Sequence, residues 1–343
     1  MKLKSLLLLL VLLLIGIPIH AQYNFAPLEK AFEQNKGKLS KNLVCMIYKD
    51  GTIIYEKNSG SFTSTTQEPI ASCSKWLTAA LVMTFVDEGK LSLEDKVSTY
   101  LPSFLVAGKK DITIRDCLSQ QTGIHQEPIK LLKLMLQKKY KTLEDEVNDF
   151  AKREQDYPHG NHFFYGNVGL NTAARVVEVI GKKDFSTMIK ERIFVPLEMF
   201  QTNFGGNTKA ANPSGGAIST AQDYLNFLSM LLNKGIFKNK QILSEKAVST
   251  MQEIQTIDSK IEYAPKSAEG YPYALGSWVE EKDGTNKALV LGCPGLFGTW
   301  PLIDFKRGYA CIFFVKSILG EQKADAYSSI KKSIDSVLEN AKQ

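Results

Sequence analysis

Histidine is scarce: the chain has 4 in 343 residues, and His20 lies in a leader-like stretch, which leaves His125, His159 and His162. A histidine-based catalytic or metal centre therefore has little to draw on. Cysteine is also sparse, at Cys45, Cys73, Cys117, Cys293 and Cys311. No C-x-x-C pair occurs, and the spacings match no zinc site. An odd count leaves at least one thiol outside any bridge. Cys45 and Cys311 both fall in apolar strand-like runs and could be neighbours, but a buried thiol in such a run is common. Gly-x-Ser-x-Gly is missing, which argues against an α/β-hydrolase. Internal repeats and low-complexity linkers are absent too. Charges of both signs are mixed along the chain, and the basic cluster at Lys130 to Lys141 reads as a solvated helix face, so no nucleic-acid partner is implied.

The first long apolar run belongs to a leader. Lys2 and Lys4 precede an unbroken apolar run from Leu6 to Ile15, and Ile19-His20-Ala21 ends on a small residue. This pattern is that of a secretory signal peptide over 1–21. An uncleaved anchor is the alternative, and the run is short for a span of about 20 residues. No cysteine follows it, so a lipoprotein is not indicated. The formal net charge of +6 falls to +4 without Lys2 and Lys4. The expected location is exported, periplasmic or extracellular, with no stable membrane insertion after cleavage. The remaining 22–343 suffice for one large domain or two closely packed lobes.

Ala71-Ser72-Cys73-Ser74-Lys75 opens an apolar stretch that continues to about Val86. Residues three apart on a helix share a face, so Ser72 and Lys75 can set a hydroxyl beside an amine. Burial disfavours the charged amine and lowers its pKa. Such an amine can activate a serine that lacks a histidine partner. Spacing alone is weak, because Ser-x-x-Lys recurs at Ser328 to Lys331 and Ser329 to Lys332, in a polar terminal helix.

The surrounding pattern is helix, two strands, a helical body, three or four strands, helix. Phe25 to Leu39 suits an amphipathic helix. Asn42 to Tyr48 and Thr52 to Lys57 read as a hairpin closed by Lys49-Asp50-Gly51. Thr113 caps a short helix through Leu118. Helices are expected within Pro128 to Ala151, over Asn171 to Ile180 and over Phe185 to Ile193. Ala210 to Gly216 reads as a small-residue, flexible connection. Thr220 and Ser244 cap two more helices. Strands follow at Tyr271 to Glu280, Lys287 to Gly292, Gly298 to Ile303 and Tyr309 to Val315, and Lys323 to Ala341 closes the chain as a helix. The fold class is α/β (α+β): an antiparallel sheet built from both chain ends, flanked by N- and C-terminal helices, with an inserted mostly helical lobe. The α/β lobe is expected over about 22–105 and 205–343, and the helical lobe over about 106–204.

Two further stretches can join Ser72 and Lys75. Tyr165-Gly166-Asn167 lies between a break at Pro158 to Gly160 and a helix. A tyrosine near a lysine can act as a general base, and Asn167 offers both a donor and an acceptor. Packing alone would equally account for a tyrosine there, as it does for Tyr224-x-Asn226 inside an amphipathic pattern. Gly292-Cys293-Pro294-Gly295-Leu296 is a strand end broken by proline and glycine. Such an edge can turn backbone N–H groups toward an oxyanion, or simply make a tight turn.

In this order, Ser72-x-x-Lys75, Tyr165-x-Asn167 and the edge at 293–295 resemble the three motifs of the penicillin-binding-protein-like serine hydrolases, which include class C β-lactamases, D-alanyl-D-alanine carboxypeptidases and β-lactamase-like esterases. Leu81 to Pro102, Ile112 to Gly123, Phe194 to Met199 and Gly215 to Tyr224 are similar to further family segments, so the resemblance covers nearly all of the chain after the leader. It implies Ser72 as nucleophile, Lys75 as base, Tyr165 as proton relay, Asn167 as positioning group and the N–H groups of Ser72 and Leu296 as the oxyanion hole, with Cys293 and Gly295 on the substrate edge and no metal or organic cofactor. Cys293 departs from the pattern, because the family has Lys-Thr-Gly or His-x-Gly there. The missing base favours an esterase or amidase acting on a small or peptide-like acyl substrate. A cell-wall D,D-carboxypeptidase or class C-like β-lactamase, and a weakly catalytic binding protein of the same fold, remain as alternatives. The oligomeric state is not legible.

Overall fold

The computed structural model describes residues 23–106, 108–128, 140–205, 210–317 and 320–341. The expected leader and the part of the expected helices at 129–139 lie outside the described residues.

By internal contacts the chain forms two units, one made of its two ends and one spanning Gly37–Tyr327. The first holds helix α1 (Ala26–Asn35) and most of the closing helix (Ala324–Asn340). Within it, Asn35 Nδ2 donates to Ala31 O at 2.9 Å and to Ser329 Oγ at 3.4 Å.

The second unit is built on a six-stranded antiparallel sheet. Its strands are β1 (Leu43–Lys49), β2 (Thr52–Ser59), β3 (Trp278–Lys282), β4 (Ala288–Gly292), β5 (Trp300–Asp304) and β6 (Tyr309–Val315), in the order β2-β1-β6-β5-β4-β3. Both chain ends contribute, as the sequence pattern requires. The β1–β2 hairpin turns through Asp50 at φ 49° and Gly51 at φ 86°, the two left-handed residues of a turn that matches strand twist. β1 pairs with β6 from Leu43↔Val315 to Lys49↔Tyr309. Every residue of β6 is buried, whereas β2 at the edge is mostly solvated and carries Glu56 and Lys57. Charged residues on an exposed edge discourage pairing with another chain.

Helix α2 (Ser74–Asp87) is buried over Ser74 to Phe85. It is apolar all round, as a helix enclosed by protein should be. Helix α5 (Val168–Gly181) packs against it, with α3 (Ile114–Leu118) and α4 (Leu143–Lys152) packed in turn on α5, while α6 (Ala221–Leu232) meets α2 through the edge-on rings of Phe227 and Trp76 and lies across β1, β5 and β6. Local capping chemistry fixes these helices. Thr113 with Asp116 and Thr142 with Asp145 form reciprocal capping boxes for α3 and α4, and Thr220 Oγ1 accepts from Asp223 N to start α6. Each cap satisfies backbone donors that the first helical turn leaves open.

Several elements differ from the sequence reading: the first helix ends at Asn35 and not Leu39, and the helix expected from Asn171 starts at Val168. The strand expected from Tyr271 begins only at Trp278, since Pro272 has no N–H and Gly276 sits at φ 80°. The helix expected over Phe185 to Ile193 becomes a wider π turn over Lys190–Phe194. Ala210 to Gly216 is no loose connection at its far end: Thr78 Oγ1 donates to Pro213 O at 2.7 Å, and Ser214 is fully buried. Cys45 and Cys311 do come together, with Sγ atoms 4.0 Å apart, but none of the five cysteines is in a disulfide.

The contact between α3 and α5 tests this packing. A Cβ on Gly169 would lie 2.2 Å from the Cys117 carbonyl oxygen. Gly169→Ala gains about 1 kcal/mol of helix propensity and loses about 1–3 kcal/mol to backbone displacement, so the net effect is destabilising. Urea denaturation should show a lower midpoint, and an unchanged or higher midpoint would contradict the close approach.

Candidate active site

Ser72 sits in a single 3-10 turn, Ala71–Cys73, that runs directly into α2. Ala71, immediately before it, adopts φ 46°. A left-handed alanine costs about 1–2 kcal/mol, so neighbours must hold the turn. Ser74 Oγ donates to Ala71 O at 2.6 Å and accepts from Ala217 N at 3.0 Å. Ile70 N donates to Ala217 O at 3.0 Å. The candidate nucleophile is thereby stitched to the segment around Ala217.

Lys75 is wholly excluded from solvent. Its Nζ donates to Ser214 O at 2.9 Å, and to Ser72 Oγ and Asn167 Oδ1 at 3.4 Å each. It also lies 4.8 Å from the centroid of the Tyr165 ring. Burial drags the amine down to about 7, with Cys293 and Cys73 acting weakly the other way. Near neutral pH a substantial fraction is the free base, which the sequence argument required of it.

Tyr165 and Asn167 reach this amine from the start of α5. Asn167 is the N-cap residue but makes no capping bond with its side chain. Gln126 Oε1 caps the helix instead, accepting from Asn167 N at 3.2 Å and Val168 N at 3.3 Å. That frees the Asn167 amide to face Lys75. A Cβ on Gly166 would fall 1.8 Å from Gln126 Oε1, so any side chain there would displace the amide that caps the helix. Gln120 brackets the same glycine, donating to its carbonyl at 3.2 Å and accepting from its N–H at 3.3 Å. Tyr165 is buried within an aromatic group of Phe163, Tyr273 and Trp278, its ring 5.0 Å from Trp278. Burial pushes its phenol well above the usual value, and hydrogen bonds with Ser72 and Trp278 pull the other way. At rest it is a neutral phenol beside Lys75.

The edge at 293–295 closes over the same turn. Gly295 approaches so closely that a Cβ would meet Ile70 O at 2.3 Å and Cys73 Sγ at 3.0 Å. Cys293 is 1% exposed, and its Sγ donates to Ser72 O at 3.3 Å and Gly276 O at 3.6 Å. Burial pushes this thiol up to about 12, against a smaller pull from Lys75. It is therefore a protonated strut between strand and turn, and a poor nucleophile. Leu296 is partly exposed. The N–H groups of Ser72, in the turn at the head of α2, and of Leu296, beside Gly295, are the two donors that the sequence reading assigned to an oxyanion.

The structure thus brings Ser72, Lys75, Tyr165, Asn167, Cys293 and Gly295 together. Sequence reasoning missed Gln120, Gln126, Trp278 and the Ser214 carbonyl. The other similar spacings fall elsewhere. Lys331 pairs with Asp335 at 2.9 Å on the closing helix, and Tyr224 is a packing residue whose hydroxyl donates to Cys73 O at 2.8 Å. His125, His159 and His162 pair with Asp156, Asp116 and Glu262 at 2.8, 2.9 and 2.8 Å.

Lys75→Met tests the buried amine through stability. The folded-state pKa of about 7 lies below the usual lysine value of 10.5, so between these two the unfolded chain binds more protons and folding is weakened as pH falls. Methionine has no such dependence. The stability difference between variant and parent should therefore shift toward the variant by up to about 1.4 kcal/mol per pH unit from pH 10 down to 7. Paired melts at several pH values check this, and a difference independent of pH would remove the lowered amine.

The sequence profile of the Beta-lactamase family matches residues 30–328. "Beta-lactamase-like protein 2" of Dictyostelium discoideum is 24% identical over 318 residues, which cover 78% of this chain and 57% of that protein. The chain thus spans little more than half the length of that relative. Among solved structures, a candidate β-lactamase from Bacteroides dorei superposes with a TM-score of 0.80 at 26% identity, covering 92% of this chain and 100% of that one. EstCE1, described as a hydrolase with promiscuous acyltransferase activity, superposes with a TM-score of 0.73 at 17% identity over 90% of this chain and 97% of that one, and shows likeness of fold. The chain belongs to the Beta-lactamase family and carries the fold shared by β-lactamases and penicillin-binding proteins.

Proposed function

We propose that the protein is a serine hydrolase working through an acyl-enzyme on Ser72, with esters or amides of small or peptide-like acyl groups as substrates. The observation that carries this reading is the Ser72 hydroxyl 3.4 Å from the amine of a fully buried Lys75. Lys75 as free base takes the Ser72 proton while Oγ attacks the substrate carbonyl. The oxyanion that forms is met by the N–H groups of Ser72 and Leu296, each such donor contributing about 3 kcal/mol to the barrier in comparable sites. The proton passes by way of Tyr165 to the leaving group, and the carbon–heteroatom bond breaks. Water activated by the same pair then hydrolyses the acyl ester. Asn167 holds Lys75 in register and offers its amide to the substrate.

Substrate preference follows from Cys293. A buried neutral thiol gives no cation for the carboxylate that penicillins and D-Ala-D-Ala peptides carry, so acyl groups without that anion suit the site. The leader-like N-terminus supports export to the periplasm or outside the cell, and the proposed partner is the small-molecule or peptide-like acyl substrate alone.

A panel of p-nitrophenyl esters, D-amino-acid peptides and nitrocefin, with fluorophosphonate and labelled penicillin as probes, tests the proposal. Ester turnover and fluorophosphonate labelling are expected, and Ser72→Ala should lose on the order of 10⁴-fold or more in kcat. Labelling by both probes with peptide turnover would move the assignment to a cell-wall D,D-peptidase or β-lactamase. No labelling of Ser72 would leave a binding protein of the same fold, and full ester activity in Ser72→Ala would end the mechanism.

A further inference from the structure

Glu146 is an anomaly in α4. Its neighbours Leu143, Val147 and Phe150 form the buried apolar stripe of the helix, and Glu146 lies on that stripe, 8% exposed. A carboxyl in such a place is costly and a leucine would serve packing better. The side chain nevertheless has a defined task. Asn171 Nδ2 on α5 donates to Glu146 Oε2 at 2.9 Å. The other end of the same amide, Asn171 Oδ1, accepts from Ser214 Oγ at 2.7 Å and Ser214 N at 3.0 Å. Ser214 O accepts from Lys75 Nζ at 2.9 Å, the shortest bond the amine makes. Ser214 Oγ also approaches Asn167 O at 3.2 Å.

Resting on the Ser72 reading, we propose that Glu146 is a positioning residue for Lys75: its carboxyl orients the Asn171 amide, the amide fixes the Ser214 backbone, and the Ser214 carbonyl holds the amine against Ser72. An amide has one accepting and one donating end, so its flip is decided by what each end meets. Glu146 demands the NH₂ end. The oxygen must then face Ser214, which offers two donors. A reversed amide would set NH₂ against the Ser214 N–H. Asn212 Oδ1 gives Nδ2 a second acceptor, but only at 3.4 Å. Asn212 Oδ1 also accepts from Ser214 N at 3.1 Å, so without Glu146 the NH₂ end keeps only its 3.4 Å acceptor and the orientation of the amide rests on Ser214 and Asn212 alone.

The relay needs an acceptor at 146 more than a charge. Burial drives the Glu146 carboxyl up to about 7, opposed by its bond to Asn171 and by Arg153, and aided by Asp149. Either protonation state can accept from Asn171. Glutamine can do the same, and leucine cannot. The groups facing Lys75 itself are Cys73, Cys293 and Tyr165, none of which these substitutions touch.

The test compares ester hydrolysis by Glu146→Leu, Glu146→Gln and Ser214→Ala across pH 5 to 9, beside Ser72→Ala. Loss of the Ser214 acceptor removes support from the charged amine. The acid limb of kcat, which reports Lys75 giving up its proton, then moves to lower pH. For Glu146→Leu the expected result is a fall in kcat of about tenfold, KM within about twofold, and a limb lower by at least about half a unit. Glu146→Gln should stay within about twofold of the parent with its limb in place, which also shows that the limb is not the titration of Glu146. Ser214→Ala keeps the backbone, loses the 2.7 Å bond, and should shift the limb the same way by less, so the proposal stays testable if Glu146→Leu does not fold. An unshifted limb in both Glu146→Leu and Ser214→Ala, or a Glu146→Gln as impaired as Glu146→Leu, overturns the relay. Failure of the Ser72 reading is separate: it appears as Ser72→Ala retaining activity.

Discussion

The site depends on keeping an amine out of water. Lys75 is on the fully buried helix α2, and the desolvation that brings it to about 7 would by itself favour unfolding or a shifted lysine. Three acceptors and an aromatic face offset part of that cost without restoring the charge. A solvated lysine would be protonated and useless as a base at neutral pH. The packing of α2 is therefore a chemical requirement as well as a structural one. The left-handed turn at Ala71, the close approach of Gly295 to Ile70 and the clamp of Ser74 and Thr78 on 213–217 pack backbone tightly around the head of the helix that carries this amine.

How those surroundings are built shows a division of labour. Residues that would normally satisfy local backbone are released because others substitute for them. Gln126 caps α5 so that Asn167 need not. The Ser74 hydroxyl ties the turn to Ala217 so that Ser72 keeps its own hydroxyl available. Buried polar groups of this kind are tolerable only when fully bonded. The chain from Glu146 through Asn171 to Ser214 carries a bond at each step.

Much of this was legible in the sequence, for a physical reason. Ser72 and Lys75 are three residues apart at the head of an apolar run, so helix geometry alone makes them neighbours. Asp50-Gly51, Thr113 and Thr220 marked turns and caps because their conformational preferences are local. Tyr165 and Asn167 were legible only in company with the first pair, since a tyrosine at a helix start is equally a packing residue. The Ser214 carbonyl was invisible because every residue carries a carbonyl and its role depends on where the fold leaves it. Gln120 and Gln126 act across some 40 residues of chain on a backbone they do not adjoin, and no periodicity records that. The extra residues assigned to the strand before Trp278 failed because aromatic and β-branched composition was read without the effect of Pro272 and Gly276 on pairing.

Cys293 separates two tasks that a basic residue would combine. A cation at that position could lower the pKa of Lys75 by like-charge repulsion and also bind an anionic substrate. Here burial lowers Lys75, with Cys293 and Cys73 acting the other way, so the proposed activation of Ser72 does not call for a second cation. Tyr165 takes hydrogen bonds from its neighbours, Trp278 among them, in place of ionic support. On the proposed substrate preference, what a thiol gives up here is the recognition of negative charge. The thiol has no room to regain it by moving outward, since Gly276 is itself pressed to within 2.6 Å of Ala79 Cβ and 3.0 Å of Lys75 O at the point where a Cβ would stand, and Cys293 is wedged between that glycine and the Ser72 carbonyl. The position is filled as part of the buried wall around Lys75.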